Sequence, residues 1–282
     1  LPEKTQADWY KEFKRKHNMT SFKASYIPTP DKWLIEDFFL TGGQLNYLVG
    51  EAKAGKSRLC RWLVASLLSD KKPFGLRSEA MIRKILWFGT EENYNRFFTN
   101  LIRYGKLIGA DTSDWESRLI HIESAGMGLE SFANRQALIA TIRENDADLV
   151  ILDSFRYFHN AEEKGGPQLS AILNSFRRWT TKYGFDMIIL HHTGKISYDA
   201  DRSKPYTWVR GNSEITAVMD CMVAIERCGG ELENNGSKVN LWRFGRHGPG
   251  SGSWQIEDLG LEDKNQPAAT DLGWRFVRRE EG

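Results

Sequence analysis

The sequence predicts an α/β fold: a mostly parallel central sheet with helices on both faces and antiparallel strands at its C-terminal edge. Three observations predict it. Short apolar runs alternate with amphipathic segments of helical period from residue 44 to residue 192. These runs are apolar nearly throughout, as strands buried on both faces must be. After residue 192 the pattern changes, and three runs alternate in the manner of antiparallel or edge strands.

The elements follow in order. Residues 1–30 read as an N-terminal appendage and linker. Asp8 to His17 suits a short basic helix with Trp9, Tyr10 and Phe13 on one side, and Ser25-Tyr26-Ile27-Pro28-Thr29-Pro30 is a proline-marked extended connector. The main domain is expected over residues 31–256. Gln44 to Val49 is a buried strand ending in glycine, and Lys56 to Leu68 is helical with Leu59, Leu63, Ala65 and Leu67 apolar. Strands at Ile85–Gly89, Arg118–Ile122, Asp148–Leu152 and Met187–Leu190 are separated by helices at Asn93–Ile108, Leu129–Glu144 and Leu169–Tyr183. The alternating runs are Cys221–Ile225, Val239–Phe244 and Trp274–Val277. Residues 257–282 are expected to be a C-terminal extension.

Composition excludes several classes. Apolar residues at 40% and charged residues at 27% describe a globular chain rather than a disordered or membrane-embedded one. A net charge of +2 gives no bulk attraction for nucleic acid, so any basic surface must be local. Cys60, Cys221 and Cys228 have no metal-ligand spacing, and an odd count argues against a disulfide framework. A reducing cytoplasmic setting, nucleoid-associated or in a plasmid or phage replication context, is expected, with no membrane contact. Leu1-Pro2-Glu3-Lys4 has no signal-peptide layout.

The chemistry-bearing motif is Gly50-Glu51-Ala52-Lys53-Ala54-Gly55-Lys56-Ser57, followed by Arg58. It is the full phosphate-loop pattern, and its context fits: a strand enters and a helix leaves. The glycines let the backbone curl so that amide N–H groups face phosphate oxygens, and the helix N-terminus adds partial positive charge. The nucleotide-contacting run is read as Gly50, Glu51, Ala52, Lys53, Ala54, Gly55, Lys56, Ser57 and Arg58. Lys56 neutralises β- and γ-phosphate charge, and the Ser57 hydroxyl ligates Mg²⁺. ATP and Mg²⁺ are the expected cofactors.

Two acids complete the expected site. Leu149-Val150-Ile151-Leu152-Asp153 is an apolar strand ending in a carboxylate, placed to hold the Mg²⁺ shell beside the phosphate loop. The plainer reading is a helix cap. Glu91 and Glu92 follow the strand Ile85–Gly89, where a carboxylate polarises the attacking water. Glu91 is favoured as the base, with Glu92 at the start of the next helix, where negative charge is favourable anyway. Both could also be simple helix-start acids.

These residues, together with Leu152-Asp153-Ser154-Phe155-Arg156-Tyr157-Phe158-His159, the pair His191-His192, Arg210-Gly211-Asn212-Ser213 and Arg243-Phe244-Gly245, occur in an order that resembles the RecA-like P-loop ATPases of the plasmid RepA hexameric replicative helicase type. The resemblance spans roughly residues 33–250. It implies ring oligomers, hexamers in this family, that hold ATP at subunit interfaces, translocate on single-stranded DNA and are sometimes joined to a primase or other replication domain. Within it, Lys56, Glu91, Asp153 and His192 are the catalytic set, with His192 as γ-phosphate sensor. Arg243, or Arg246 beyond Gly245, is the candidate that reaches a neighbour's γ-phosphate in trans. The alternative for Arg243 is a solvated edge-strand arginine. The loop after the sensor strand faces the ring channel in this family. Here it interleaves Lys195, Arg202, Lys204 and Arg210 with Tyr198, Tyr206 and Trp208, a mixture suited to phosphates and stacked bases. Asp199 and Asp201 dilute its charge, and an ordinary surface loop is the plainer reading. A regulatory or recombination ATPase that binds DNA or protein without unwinding is the alternative function.

Overall fold

A computed structural model describes residues 32–89, 92–123, 126–160, 166–196, 199–202, 204–209, 212–227, 237–245, 252–260 and 273–281. The chain divides into two units, Leu1–Pro30 and Asp31–Gly282. The helix expected at Asp8–His17 and the connector after it lie outside the described residues. The described strands and helices all belong to the second unit.

Strands β1 (Lys32–Ile35) and β2 (Phe39–Thr41) form an antiparallel hairpin of their own. The central sheet begins with β3 (Leu45–Gly50), then β4 (Ile85–Gly89), β5 (Leu119–Glu123), β6 (Leu149–Asp153), β7 (Asp186–His192), β8 (Cys221–Arg227), β9 (Ser237–Gly245), β10 (Gly252–Gly260) and β11 (Gly273–Glu281). Its spatial order is β11-β10-β9-β8-β3-β7-β6-β4-β5. The stretch from β8 to β5 is parallel throughout, and β9, β10 and β11 are added antiparallel. The mostly parallel sheet with an antiparallel C-terminal edge is therefore as expected.

Alternation along the strands explains the layering. In β6, Leu149 and Ile151 enter one core while Val150 and Leu152 enter the other. The first core takes Leu59, Leu63 and Leu67 of α1 (Lys56–Leu68) and Phe97, Leu101 and Tyr104 of α2 (Tyr94–Leu107). The short α3 (Trp115–Arg118) contributes Trp115 to the same side. The second core takes Leu138 and Ile142 of α4 (Phe132–Glu144), Ile172 and Phe176 of α5 (Pro167–Tyr183), and Ile215 of α6 (Asn212–Val218). Strands buried on both faces carry no polar alternation, which is why their runs read as continuously apolar.

Local signals set the helix ends. Asn93 caps α2, its side chain accepting from the Arg96 amide at 3.0 Å, and Ser131 caps α4. α4 begins at Phe132 rather than at Leu129, because residues 129–131 are used by the turn and the cap. Pro167 opens α5 and Gly184, at φ 77°, closes it.

One expectation needs correction, and one element was not anticipated. The boundary at residue 256 falls inside β10, and β11 pairs along β10, so the backbone of the supposed extension continues the central sheet. The β1–β2 hairpin, unanticipated between the linker and the first core strand, packs Leu34, Ile35, Phe38 and Phe39 into the first core. Among the described residues, no helix is long and apolar enough to cross a membrane. Cys60 and Cys221 are buried free thiols, and Cys228 lies outside the described residues.

Candidate nucleotide site

The strand register gathers the site. Gly50 at the end of β3 stands beside His192 at the end of β7, and Gly89 at the end of β4 stands beside Asp153 at the end of β6. All four lie at the carboxyl ends of parallel strands, the edge where open α/β sheets bind ligands.

From Gly50 the chain turns through residues 51–55 into α1. Gly50 is pressed against β8: a β-carbon there would lie 2.7 Å from the Ile225 carbonyl oxygen. Gly55 precedes the helix at φ 99°, a left-handed geometry that glycine adopts without strain. The first amides of α1 therefore emerge at the mouth of a cavity of about 270 Å³, lined among others by Lys53, Lys56, Ser57, Arg58, Asp153 and His192.

Lys56 is buried, and its ammonium donates to the carbonyls of Gly50 at 3.0 Å and Glu51 at 2.9 Å. The His192 Nδ1 lies 3.2 Å away. An ammonium only donates, so Nδ1 accepts and the ring proton sits on Nε2, which faces Ser154 Oγ at 3.5 Å. The Ser57 hydroxyl donates to Asp153 Oδ1 at 2.9 Å. Lys56, Ser57, Asp153 and His192 are thus brought together around one cavity.

The donor set fits Mg²⁺. A hydroxyl and a carboxylate are hard oxygen ligands, and Mg²⁺ is usually held by one or two protein oxygens with nucleotide phosphates and water completing the shell. Among the described residues no cluster of three or more His, Cys, Asp or Glu could form a self-sufficient metal cage. Ser57 and Asp153 would hold the ion. When bound, it would neutralise charge on the phosphate oxygens. Lys56 and the loop amides would hold the phosphates themselves.

The two acids after β4 separate. Glu91 lies outside the described residues. Glu92 is not merely a helix-start acid: it forms an ion pair with Arg61 of α1 and lines a second, inner cavity with Ser57 and Asp153. His121 of β5 closes that cavity, stacked on Phe97 at 4.1 Å. Burial pushes the His121 imidazole below its ordinary value of 6.5, although Glu123 and Glu92 pull it upward. The unfolded chain therefore takes this proton first on acidification, and stability is lost as the pH falls through 6.5 toward the depressed value. A His121→Phe variant is expected to lose less Tm than the wild type between about pH 7 and pH 5. Parallel melting curves against pH would contradict this.

Two further contacts were not legible in the sequence. The Glu51 side chain accepts the Ile196 amide at 2.7 Å, and the Thr193 amide donates to the Gly50 carbonyl at 3.0 Å. They tie the phosphate loop to the segment that leaves β7. A carboxylate within the loop was the available signal, but its partner lies 145 residues away.

The expected trans-acting and nucleic-acid residues fare differently. Arg243 is neither a free finger nor a solvated arginine. Strand alternation turns it, with Val239 and Leu241, toward the β1–β2 side, where it is 2% exposed and its guanidinium lies 4.6 Å from the Trp33 ring centre. A guanidinium held there is covered by this chain's own hairpin. Arg246 lies outside the described residues, as does Arg210. Lys195 is exposed. Arg202 is bound to Glu226 at 2.7 Å and Lys204 to Asp201 at 3.2 Å. Trp208 is buried and Tyr206 packs on Phe244 at 4.5 Å, because a 3-10 turn at Pro205–Trp208 folds them onto β8 and β9. Among the described residues, Arg202, Lys204, Tyr206 and Trp208 are therefore committed to intramolecular partners, and Tyr198 lies outside the described residues.

Comparison with known proteins agrees with this fold. A KaiC-like protein, PH0186, from the hyperthermophilic archaeon Pyrococcus horikoshii OT3 has a similar structure, with a TM-score of 0.53 over 87% of this chain and 94% of that one. Its sequence identity of 12% makes this a likeness of fold, the RecA-like arrangement of P-loop NTPases. No curated protein matches the sequence. The AAA domain family AAA_25 matches residues 11–197, which include the phosphate loop, Asp153 and His192. The chain belongs to that family of P-loop ATPases.

Proposed function

We propose that this chain is a Mg²⁺-dependent ATPase that moves on single-stranded DNA as a ring oligomer, hexameric as in the plasmid RepA type it resembles. One observation carries the reading: Glu51 of the phosphate loop holds the amide of Ile196, next to the exposed Lys195. A change at the γ-phosphate is thereby transmitted through hydrogen bonds to the segment that, in such rings, faces the DNA. Lys56 and His192 lie in the same network, so the phosphate contact and the sensor histidine are linked directly. A primase or other replication domain is the partner class that suits this activity.

Steady-state ATP turnover with and without single-stranded DNA tests the proposal. Turnover is expected to rise with DNA, and light scattering with a slowly hydrolysed ATP analogue is expected to give a ring-sized particle. Turnover indifferent to DNA in oligomeric preparations would sink the motor reading. Lys195→Ala is expected to weaken DNA binding at every sequence and to lower the salt dependence by about one per subunit contact.

A second reading has a specific observation in its favour. Arg202 and Lys204 are neutralised by Glu226 and Asp201, which leaves a weak local charge for DNA. A regulatory or recombination ATPase that binds DNA or protein without unwinding fits that weakness. Filaments, or turnover unaffected by a forked substrate, would favour it.

A further inference from the structure

We infer that Arg61 is a positioning residue for ATP hydrolysis, holding the Glu92 carboxylate in the inner cavity beside Ser57 and Asp153. The inference rests on the ATPase reading and adds a residue to it.

Arg61 lies one helical turn after Ser57 on α1, so both side chains leave the same side of the helix. It is 4% exposed. A guanidinium that deep must be compensated, and Glu92 compensates it through a direct ion pair. Arg96 approaches the other Glu92 oxygen at 3.9 Å, but its side chain is 75% exposed and water screens it. His121 faces the same cavity with its pKa depressed by burial, so the imidazole is neutral near pH 7. Arg61 is therefore the cation that governs where the Glu92 carboxylate sits.

The cavity is about 70 Å³, and Ser57, Asp153, Glu92, His121, Trp87 and Phe97 line it together with Arg61. The Arg61 Nε–H has no hydrogen-bond partner among the described residues. An unmatched buried donor costs stability, so burial of Arg61 is not explained by its hydrogen bonds alone.

Stability alone does not explain the pair. Apolar side chains of similar volume would pack at least as well, because a buried ion pair seldom outweighs its desolvation cost. Its position explains it better. An uncompensated Arg61 would repel a divalent cation at Ser57 and Asp153. Paired with Glu92, its charge is compensated, and a second carboxylate is fixed in the cavity that Ser57 and Asp153 line.

Steady-state hydrolysis of MgATP by the full chain tests this with three variants: Arg61→Met, Arg61→Lys, and the double change Arg61→Met with Glu92→Met. Arg61→Met is expected to lower kcat on the order of 10²-fold, with KM for ATP within about threefold, since a misplacement of about 1 Å beside the reacting groups has that effect. Arg61→Lys, which keeps the charge, is expected to recover part of kcat. The double variant has an apolar pair and is expected to melt near the wild-type temperature yet remain slow. If it turns over at the wild-type rate, the pair is packing and the inference fails. A rise in KM at unchanged kcat would also overturn it, because Arg61 would then be a binding group. Wild-type turnover that depends on Lys56 but not on Arg61 removes this inference alone. Absence of Lys56-dependent turnover removes the ATPase reading and the inference together.

Discussion

Lys56→Ala is expected to reduce ATP turnover on the order of 10²–10³-fold while leaving the fold intact. The ammonium is held at the mouth of the phosphate loop by the Gly50 and Glu51 carbonyls and faces His192 Nδ1. A lysine in this position offsets charge that accumulates on the transferring phosphoryl group, where hydrolysis is limited by positioning and electrostatics. Its removal deletes that cation and frees His192 from one of its contacts. Two loop carbonyls lose a donor, which costs about 1 kcal/mol of stability at most sites. Tm should therefore move little. Isothermal titration with a slowly hydrolysed ATP analogue separates lost binding from lost chemistry. Turnover within about threefold of wild type would reject the placement of Lys56 at the phosphates.

Asp186→Ala is expected to destabilise the domain by about 3–5 kcal/mol, measured by urea unfolding. Asp186 opens β7 at the opposite end of the strand from His192 and is 3% exposed. One oxygen accepts the amides of Gly43 at 2.9 Å and Gln44 at 2.8 Å, and the other accepts the Thr41 hydroxyl at 2.5 Å. The carboxylate thus clips the turn between β2 and β3 onto the sheet and sets the entry of the strand that ends in the phosphate loop. Burial pushes its pKa up, and the same donors pull against that. Alanine would strand several buried donors at once, which is where large single-site losses come from. Asp186→Asn keeps one acceptor and should recover part of the loss. A change below about 1 kcal/mol in Asp186→Ala would mean that water replaces the carboxylate.

The two residues differ in how they could be read. Lys56 belongs to an eight-residue motif whose geometry is local: a strand end, a glycine turn and a helix start within one short segment. The same locality made Ser57 and the strand before Asp153 legible, as well as the parallel sheet, whose strands are continuous apolar runs. Asp186 is one acid before an apolar run, and its partners lie more than 140 residues earlier. Nothing in its neighbourhood announces them. The β1–β2 hairpin escaped notice because strands of four and three residues are too short to show a period.

Arg243 marks the limit most clearly. Alternation correctly places Arg243 and Phe244 on opposite faces of β9, yet it cannot say which face is covered. The hairpin with Trp33 decides that, and it turns a candidate finger into a core cation. Likewise, a segment of interleaved cations and aromatics describes a possible DNA surface only until Glu226 is brought against Arg202, Asp201 against Lys204 and Phe244 against Tyr206.

The sequence by itself determined that this protein has an α/β sheet, a phosphate loop, a serine and an aspartate suited to a divalent cation, and a histidine at a strand end. Each follows from residues adjacent in the chain or from a period along it. Only the tertiary structure decided which charges remain available, because burial and pairing join residues far apart in sequence. It placed Arg61 on Glu92, Glu51 on Ile196 and Arg243 beneath Trp33.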